Sequence, residues 1–324
     1  MKVTDLAILF IIITLPLSFM ADIDAGNAEI ALYKKTELNR MLDTAAEDGS
    51  ACLVAVGGDK KVEINKEKAA EAFFNSLFLN LNIFEDDLAR KKMEGYVPCL
   101  IAVDFDGYYV MNNQEFTNDE GYREMEMAWS PKKPFSYYDP GSGCVFGFTL
   151  SNYITIYDTF SDEFYQGTVD QLRAMSEFDT NRLIQDSTLF DQVRRRTIVE
   201  CLRRDVNASI NSHNNIARKF GITYHFTLPV ISDEDWYKTV DDVGLLVFLQ
   251  GIPIGVTGER YNNFALGGAR IVKTPKYYAE TDAATGIKYY HKEDCPLLVN
   301  NDTVFDSRAE CARNGYLPCR QCNP

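Results

Sequence analysis

The sequence predicts an α+β protein in three parts. These are an N-terminal membrane helix running on into an amphipathic stalk, a mainly antiparallel sheet head with helices, and a small C-terminal metal module. Three observations carry this. Residues Leu6–Ala21 hold no charge, strand signals recur in hairpins rather than in βαβ units, and four of the eight cysteines fall in the last thirty residues. A hydrophobic content of 46% with 12% aromatics is ample for a packed core in 324 residues. The net charge of −14 repels phosphate backbones, so nucleic acid is not an expected partner of the chain as a whole.

The N-terminal apolar run is about 24 Å long as a helix, and flanking Thr4 and Ile23 extend it toward the thickness of a bilayer core. Residues 4–23 are therefore expected to cross the membrane once. Lys2 precedes the run and Asp22, Asp24 and Glu29 follow it, which places the N-terminus inside and the bulk of the chain outside the cytoplasm. The alternative is a cleaved signal peptide, but the bulky and acidic "SFMADID" offers no small-x-small cleavage site. Beyond the span, Ile30, Tyr33, Leu38, Met41, Leu42 and Ala45 recur at helical spacing, with Gly49-Ser50 as the stop. Residues 1–50 thus read as anchor and stalk, and "ACLVAV" after them as a short buried strand.

The head is expected over 51–272. Asn65 caps a helix over 66–81 whose Ala69, Ala70, Phe73, Phe74, Leu77, Phe78 and Leu81 share a face. Asp106-Gly107 sits between alternating apolar runs as a type I′ hairpin signal, which also disposes of Asp104-x-Asp106 as a metal site. "CVFGFTLSNYITIYD" supplies two strands about Ser151-Asn152. Residues 168–220 read as mostly helical, capped by Thr168, with Ile198, Leu202, Val206 and Ile210 on one face. Further strands are expected at "ITYHFTLPVI", at "GLLVFLQGIPIGV" with a turn at Gln250-Gly251, and at "FALGGARIV".

The head carries no enzyme signature. His213 and His225 lack a neighbouring base or ligand pattern, and Gly267-Gly268 lacks the spacing of a phosphate loop. The arginines at 194, 195, 196, 203 and 204 read as a solvated helix face. Residues 273–286 have the composition of a linker.

The last part, 287–324, is chemically specific. His291-x3-Cys295 and Cys319-x2-Cys322 supply four N/S donors in two close pairs, which suits a tetrahedral zinc ion in a segment too short to bury a core. Between them "DSRAECARNGY" reads as a helix from Asp306 to a C′ glycine at Gly315. Cys311 lies inside that helix in a packing role, as the rival fourth ligand. Disulfides are the competing use of these cysteines outside the cytoplasm. A redox dithiol at Cys319-x2-Cys322 lacks the following helix it would need.

Two resemblances bear on function. "LNRMLDTAAEDGSACLV" is similar to the start of TadE-like and pilin-like proteins, which implies a membrane helix continuing into an amphipathic helix covered by a small α+β head. "YHKEDCPLL" with "SRAECARNGYLPCRQCNP" resembles the zinc module of Ada-type DNA-repair proteins, which is also appended to extracytoplasmic proteins. In the repair protein the first ligand is a methyl-accepting cysteine. Here that position is His291, so methyl transfer is not expected. Within the module Lys288, Lys292, Arg308, Arg313 and Arg320 balance Glu293, Asp294, Asp302, Asp306 and Glu310, which argues against gripping DNA. The expectation is a non-enzymatic, single-pass cell-membrane protein that works in assembly with other surface or pilus-apparatus proteins, with homo-oligomers allowed. The alternatives are a surface protein handling nucleic acid in DNA uptake or transfer, and a hydrolase with an unrecognised site.

Overall fold

A computed structural model describes residues 3–56, 62–218, 223–239, 241–255, 258–269, 277–282, 285–292, 295–298, 303–305 and 308–322. Side chains are described from Ala25 onward, apart from those of residues 55, 56, 62, 63, 233, 238 and 309. The chain divides into two compact units, Met1–Arg270 and Ile271–Pro324.

The first unit opens with α1 (Val3–Ala51), the hairpin β1 (Val54–Val56) and β2 (Val62–Ile64), α2 (Lys66–Asn80) and α3 (Asp87–Glu94). Seven strands follow: β3 (Cys99–Asp104), β4 (Gly107–Thr117), β5 (Arg123–Trp129), β6 (Phe135–Asp139), β7 (Cys144–Phe148), β8 (Tyr153–Asp158) and β9 (Glu163–Thr168). Then come α4 (Val169–Arg173), α5 (Arg182–Gln185), α6 (Ser187–Ala217), α7 (Asp233–Lys238), β10 (Gly244–Pro253) and β11 (Arg260–Gly268). A five-stranded sheet runs β11-β10-β3-β4-β5 and a four-stranded meander β6-β7-β8-β9. Among the described residues every strand pair of this unit is antiparallel, so the α+β class with antiparallel sheets holds.

The central strands β3 and β10 are covered on both faces, which is why they read as unbroken apolar runs rather than alternating ones. On one face Leu42, Ala45 and Ala46 of α1 and Phe73 and Leu77 of α2 are fully buried. On the other, Ile101, Val103, Leu246 and Phe248 join a core shared with Phe146, Phe148 and Ile156 of the meander and Ile198, Leu202, Val206 and Ile210 of α6. The helical face expected for α6 is therefore the one that packs. Asn65 caps α2 through Lys68 N (3.0 Å), and Thr168 closes a capping box on α4.

Several expectations are corrected. The stalk stripe packs from Leu38 onward, whereas Ile30 and Tyr33 are exposed; Asn39 and Ser50 of the packed part bond to Tyr261 and to the Gly268 carbonyl. Gly49 does not stop α1, which continues to Ala51. It lets α2 and β10 approach, since a Cβ there would lie 2.7 Å from Leu245 and 2.9 Å from the Ala69 carbonyl. Gly267 does the same for β11, where a Cβ would collide with the Ala46 carbonyl. The β3–β4 loop is Phe105-Asp106 rather than Asp106-Gly107. None of these residues has positive φ, so the turn is not type I′. Gly107 is instead needed because the Lys133 carbonyl packs against its Cα.

Gln250-Gly251 is no hairpin turn. β10 passes through it with a bulge at Gly251 (φ +87°). "ITYHFTLPVI" alternates as expected, with Phe226 buried and His225 exposed, yet residues 223–232 form no strand. Side-chain amides take the place of a neighbouring strand: Asn214 accepts from Phe226 N (2.6 Å) and donates to its carbonyl (2.8 Å), and Gln250 donates to the Thr227 carbonyl (2.7 Å).

The backbone of α1 is one helix from Val3, so the expected continuity of span and stalk is present in the chain path. Among the described residues no helix is long and apolar enough to cross a membrane. The expected span at 4–23 lies outside the described side chains.

Candidate metal centre

The second unit is a small sheet ordered β14-β12-β13-β15, built from β12 (Tyr277–Thr281), β13 (Lys288–His291), β14 (Thr303–Phe305) and β15 (Leu317–Pro318), with α8 (Arg308–Arg313). Residues 277–281, expected within a linker over 273–286, form an inner strand of this sheet. β12 pairs with both β13 and β14, and its Tyr277 and Ala279 are buried. Turn residues on either side masked its period-two pattern.

Each donor is held by a local device. His291 ends β13. Cys295 follows in a turn where its N–H donates to the Lys292 carbonyl (3.1 Å) and its carbonyl accepts from Leu298 N (3.0 Å). β15 lies parallel to β13, and Cys319 N donates to the Tyr290 carbonyl (3.0 Å), which seats the second donor pair beside the first. Gln321 N donates to Cys319 Sγ (3.4 Å) and Lys292 N to Cys322 Sγ (3.5 Å). Such N–H···S contacts favour thiolate over thiol.

The four donor atoms of His291, Cys295, Cys319 and Cys322 all lie within 4.8 Å of one another, with the first three residues buried. A tetrahedral ion bound to sulfur at about 2.3 Å would set donor–donor edges of roughly 3.8 Å. The four residues therefore stand close enough together to hold a metal ion. The sulfurs disturb one another. Burial and the neighbouring Cys295 and Cys319 push the Cys322 thiol up to about 11. At Cys319 burial pushes the thiol up, but the N–H groups of Cys322 and Gln321 together with the Cys322 and Cys295 side chains draw it below its ordinary value. A cation among the three sulfurs would offset the repulsion between their thiolate forms.

The imidazole is oriented for the same purpose. Nδ1 of His291 is 3.3 Å from Cys295 Sγ, facing the donor cluster. Nε2 is the one buried side-chain polar atom among the described residues without a hydrogen-bond partner, and Glu280 Oε1 stands 3.5 Å from it. With Nδ1 on a metal, Nε2 carries the proton and the Glu280 carboxylate is its natural acceptor. Glu280 was missed in the sequence because it falls in the stretch read as linker.

Cys311 is not part of this cluster. It is fully buried against Tyr277, Ala279 and Tyr290, with Phe305 and Tyr316 alongside. Gly315 (φ +81°) ends α8 as expected. Tyr316 N donates to the Cys311 carbonyl and Gly315 N to the Ala312 carbonyl, both at 3.0 Å, which is a Schellman pair. Asp306 lies outside the described residues.

The remaining candidates are structural. Lys132 bridges Asp104 (2.6 Å) and Asp106, so one ammonium is shared between the two carboxylates and offsets one of their two charges. His213 is buried, with Nε2 donating to the Gly95 carbonyl (2.9 Å) and Nδ1 accepting from Asn113 Nδ2 (3.3 Å). Burial holds it below the ordinary histidine value. The arginine run is not merely solvated. Arg194 is buried on Asp191 (2.7 Å), Arg195 pairs with Asp191 and Asp241, Arg196 with Glu200, and Arg203 lies over Trp236.

Among known proteins, the chain matches no family model, no curated protein and no solved structure.

Proposed function

We propose that the His291/Cys295/Cys319/Cys322 centre binds zinc as a structural ion, in a membrane-anchored protein whose bulk is extracytoplasmic and whose work is assembly in a pilin-like or surface apparatus. The observation that carries the zinc reading is the donor set. Three sulfurs and one imidazole suit zinc's borderline softness and tetrahedral preference, and they fill all four positions. No position is left for water or substrate, which favours a structural over a catalytic ion. The resemblance of residues 288–324 to the Ada-type zinc module supports the same reading. The anchor rests on the uncharged run Leu6–Ala21 and the assembly role on the TadE-like pattern of residues 38–54.

The purified protein is expected to carry about one equivalent of zinc. Cys319→Ser is expected to abolish binding and His291→Ala to weaken it strongly, while Cys311→Ala keeps the stoichiometry. Metal-free protein with Cys295, Cys319 and Cys322 oxidised would assign the centre to disulfides, and a different resident metal would overturn zinc. For the topology, the exposed Lys91 and Lys92 should react on intact cells with an amine reagent that cannot cross membranes. Reaction only after lysis would reverse the orientation.

A further inference from the structure

We propose that the outer face of the β6–β9 meander binds a neutral glycan chain through a row of exposed aromatic rings. The inference stands independently of the metal centre. Tyr138, Val145, Tyr157 and Phe164 lie directly opposite one another across all four strands, so their side chains share one face. Their opposite-face neighbours, such as Phe146 and Ile156, fill the core, whereas Tyr138, Tyr157 and Phe164 are 55%, 40% and 62% exposed. Such alternation normally places polar side chains on the solvent face. Here it places rings there.

The end of the row is built rather than incidental. Phe160, in the β8–β9 turn, is 84% exposed and its ring lies across Gly143, where a Cβ would collide with it. Gly143 has φ +68° and is held by Thr159, whose Oγ1 donates to the Gly143 carbonyl (2.6 Å). Tyr157 is fixed as well, its hydroxyl donating to Asp162 Oδ1 (2.6 Å). Rigid rings lose little conformational entropy when a ligand stacks on them.

Charge selects the occupant. In a chain where a quarter of the residues are charged, no position on this face is. Besides the rings it offers only serine, threonine, glutamine, glycine and one valine. Nucleic acid and anionic lipid would require basic side chains, and the nearest charges, Asp158, Asp162 and Glu163, are acidic. Four strands about 4.8 Å apart make the row of rings roughly 15 Å long. A linear glycan lying along the row meets its rings in turn. The apolar C–H faces of its pyranose rings stack on the negative faces of aromatic rings, and its hydroxyls bond to threonine and glutamine.

The test uses the full-length protein, in a detergent without a sugar headgroup. Calorimetric titration is run with hexamers of β-1,4-linked glucose and of β-1,4-linked N-acetylglucosamine. Binding of at least one is expected, weakened about tenfold or more by Tyr157→Ala combined with Phe164→Ala. Both residues are exposed, so an unchanged melting curve checks that the fold survives. Failure of both sugars to bind overturns the proposal, as does equal binding by the double variant. Loss of self-association in that variant without any sugar binding would give the face to a second copy, and binding to lipid vesicles alone would give it to a membrane.

Discussion

The two units of this chain solve the same problem by different means. In the first, a sheet sandwiched between α1/α2 and the α6–meander layer buries whole strands. Side chains such as Phe73, Phe248 and Leu246 are each worth about 1.5–3 kcal/mol on burial. In the second, the buried apolar cluster among the described residues is Tyr277, Ala279, Tyr290 and Cys311, with Phe305 and Tyr316 packed against it. So small a cluster does not offset the entropy of ordering the segment, and the donor cluster lies where extra binding energy would enter. The contrast sets a unit with a large core against one whose small core lies in the same unit as four candidate metal ligands.

The largest test of that contrast is metal removal. A strong chelator, or Cys319→Ser, is expected to unfold the second unit, because the apparent binding energy of a structural zinc, about 10–16 kcal/mol, acts as folding energy. Amide exchange over 277–322 should become fast, while protection of β3 and β10 stays unchanged. Equal loss in both units would break the comparison.

The converse is Phe248→Ala. Deleting a fully buried ring is expected to cost the first unit about 3–5 kcal/mol, measured by denaturant unfolding, and to leave metal stoichiometry alone.

Gly267→Ala should cost about 1–3 kcal/mol by forcing β11 away from the α1 backbone. A neutral result in thermal melting would mean that the helix–sheet approach is slack.

A smaller effect is expected within the metal centre itself. Glu280→Gln should weaken metal affinity by about 10–100-fold in a competition titration, because it removes the carboxylate facing His291 Nε2. Unchanged affinity would leave Glu280 with no part in orienting the imidazole.

The smallest concerns pH. His213 is held neutral by burial, so its folded value lies below its unfolded 6.5, and the unfolded chain takes up the proton first. Stability of the first unit should therefore be full above that value and fall as pH drops through and below 6.5. In His213→Gln this part of the decline should vanish.

Much of this was legible locally. Helical spacing marked α2 and α6, Asn65 and Thr168 announced caps, and the paired spacing of His291, Cys295, Cys319 and Cys322 picked out four residues that stand close enough together to hold a metal, because ligand pairs in short loops leave their signature in adjacent residues. The alternation of residues 223–228 was likewise legible, but not that Asn214 and Gln250 replace a strand as its partners. Glu280 was hidden because its partner His291 lies across a strand pair, and β12 is a strand only by virtue of β13 and β14. Gly49 and Gly107 read as punctuation and Gly267 as part of an ordinary glycine pair in a strand, whereas each serves a close approach by a segment distant in sequence. The sequence by itself determined which residues could cap, stack or ligate, since those properties belong to a side chain and its near neighbours. Only the tertiary structure decided which of them meet, because contacts such as Gly267 with Ala46 depend on how the whole sheet and its helices pack.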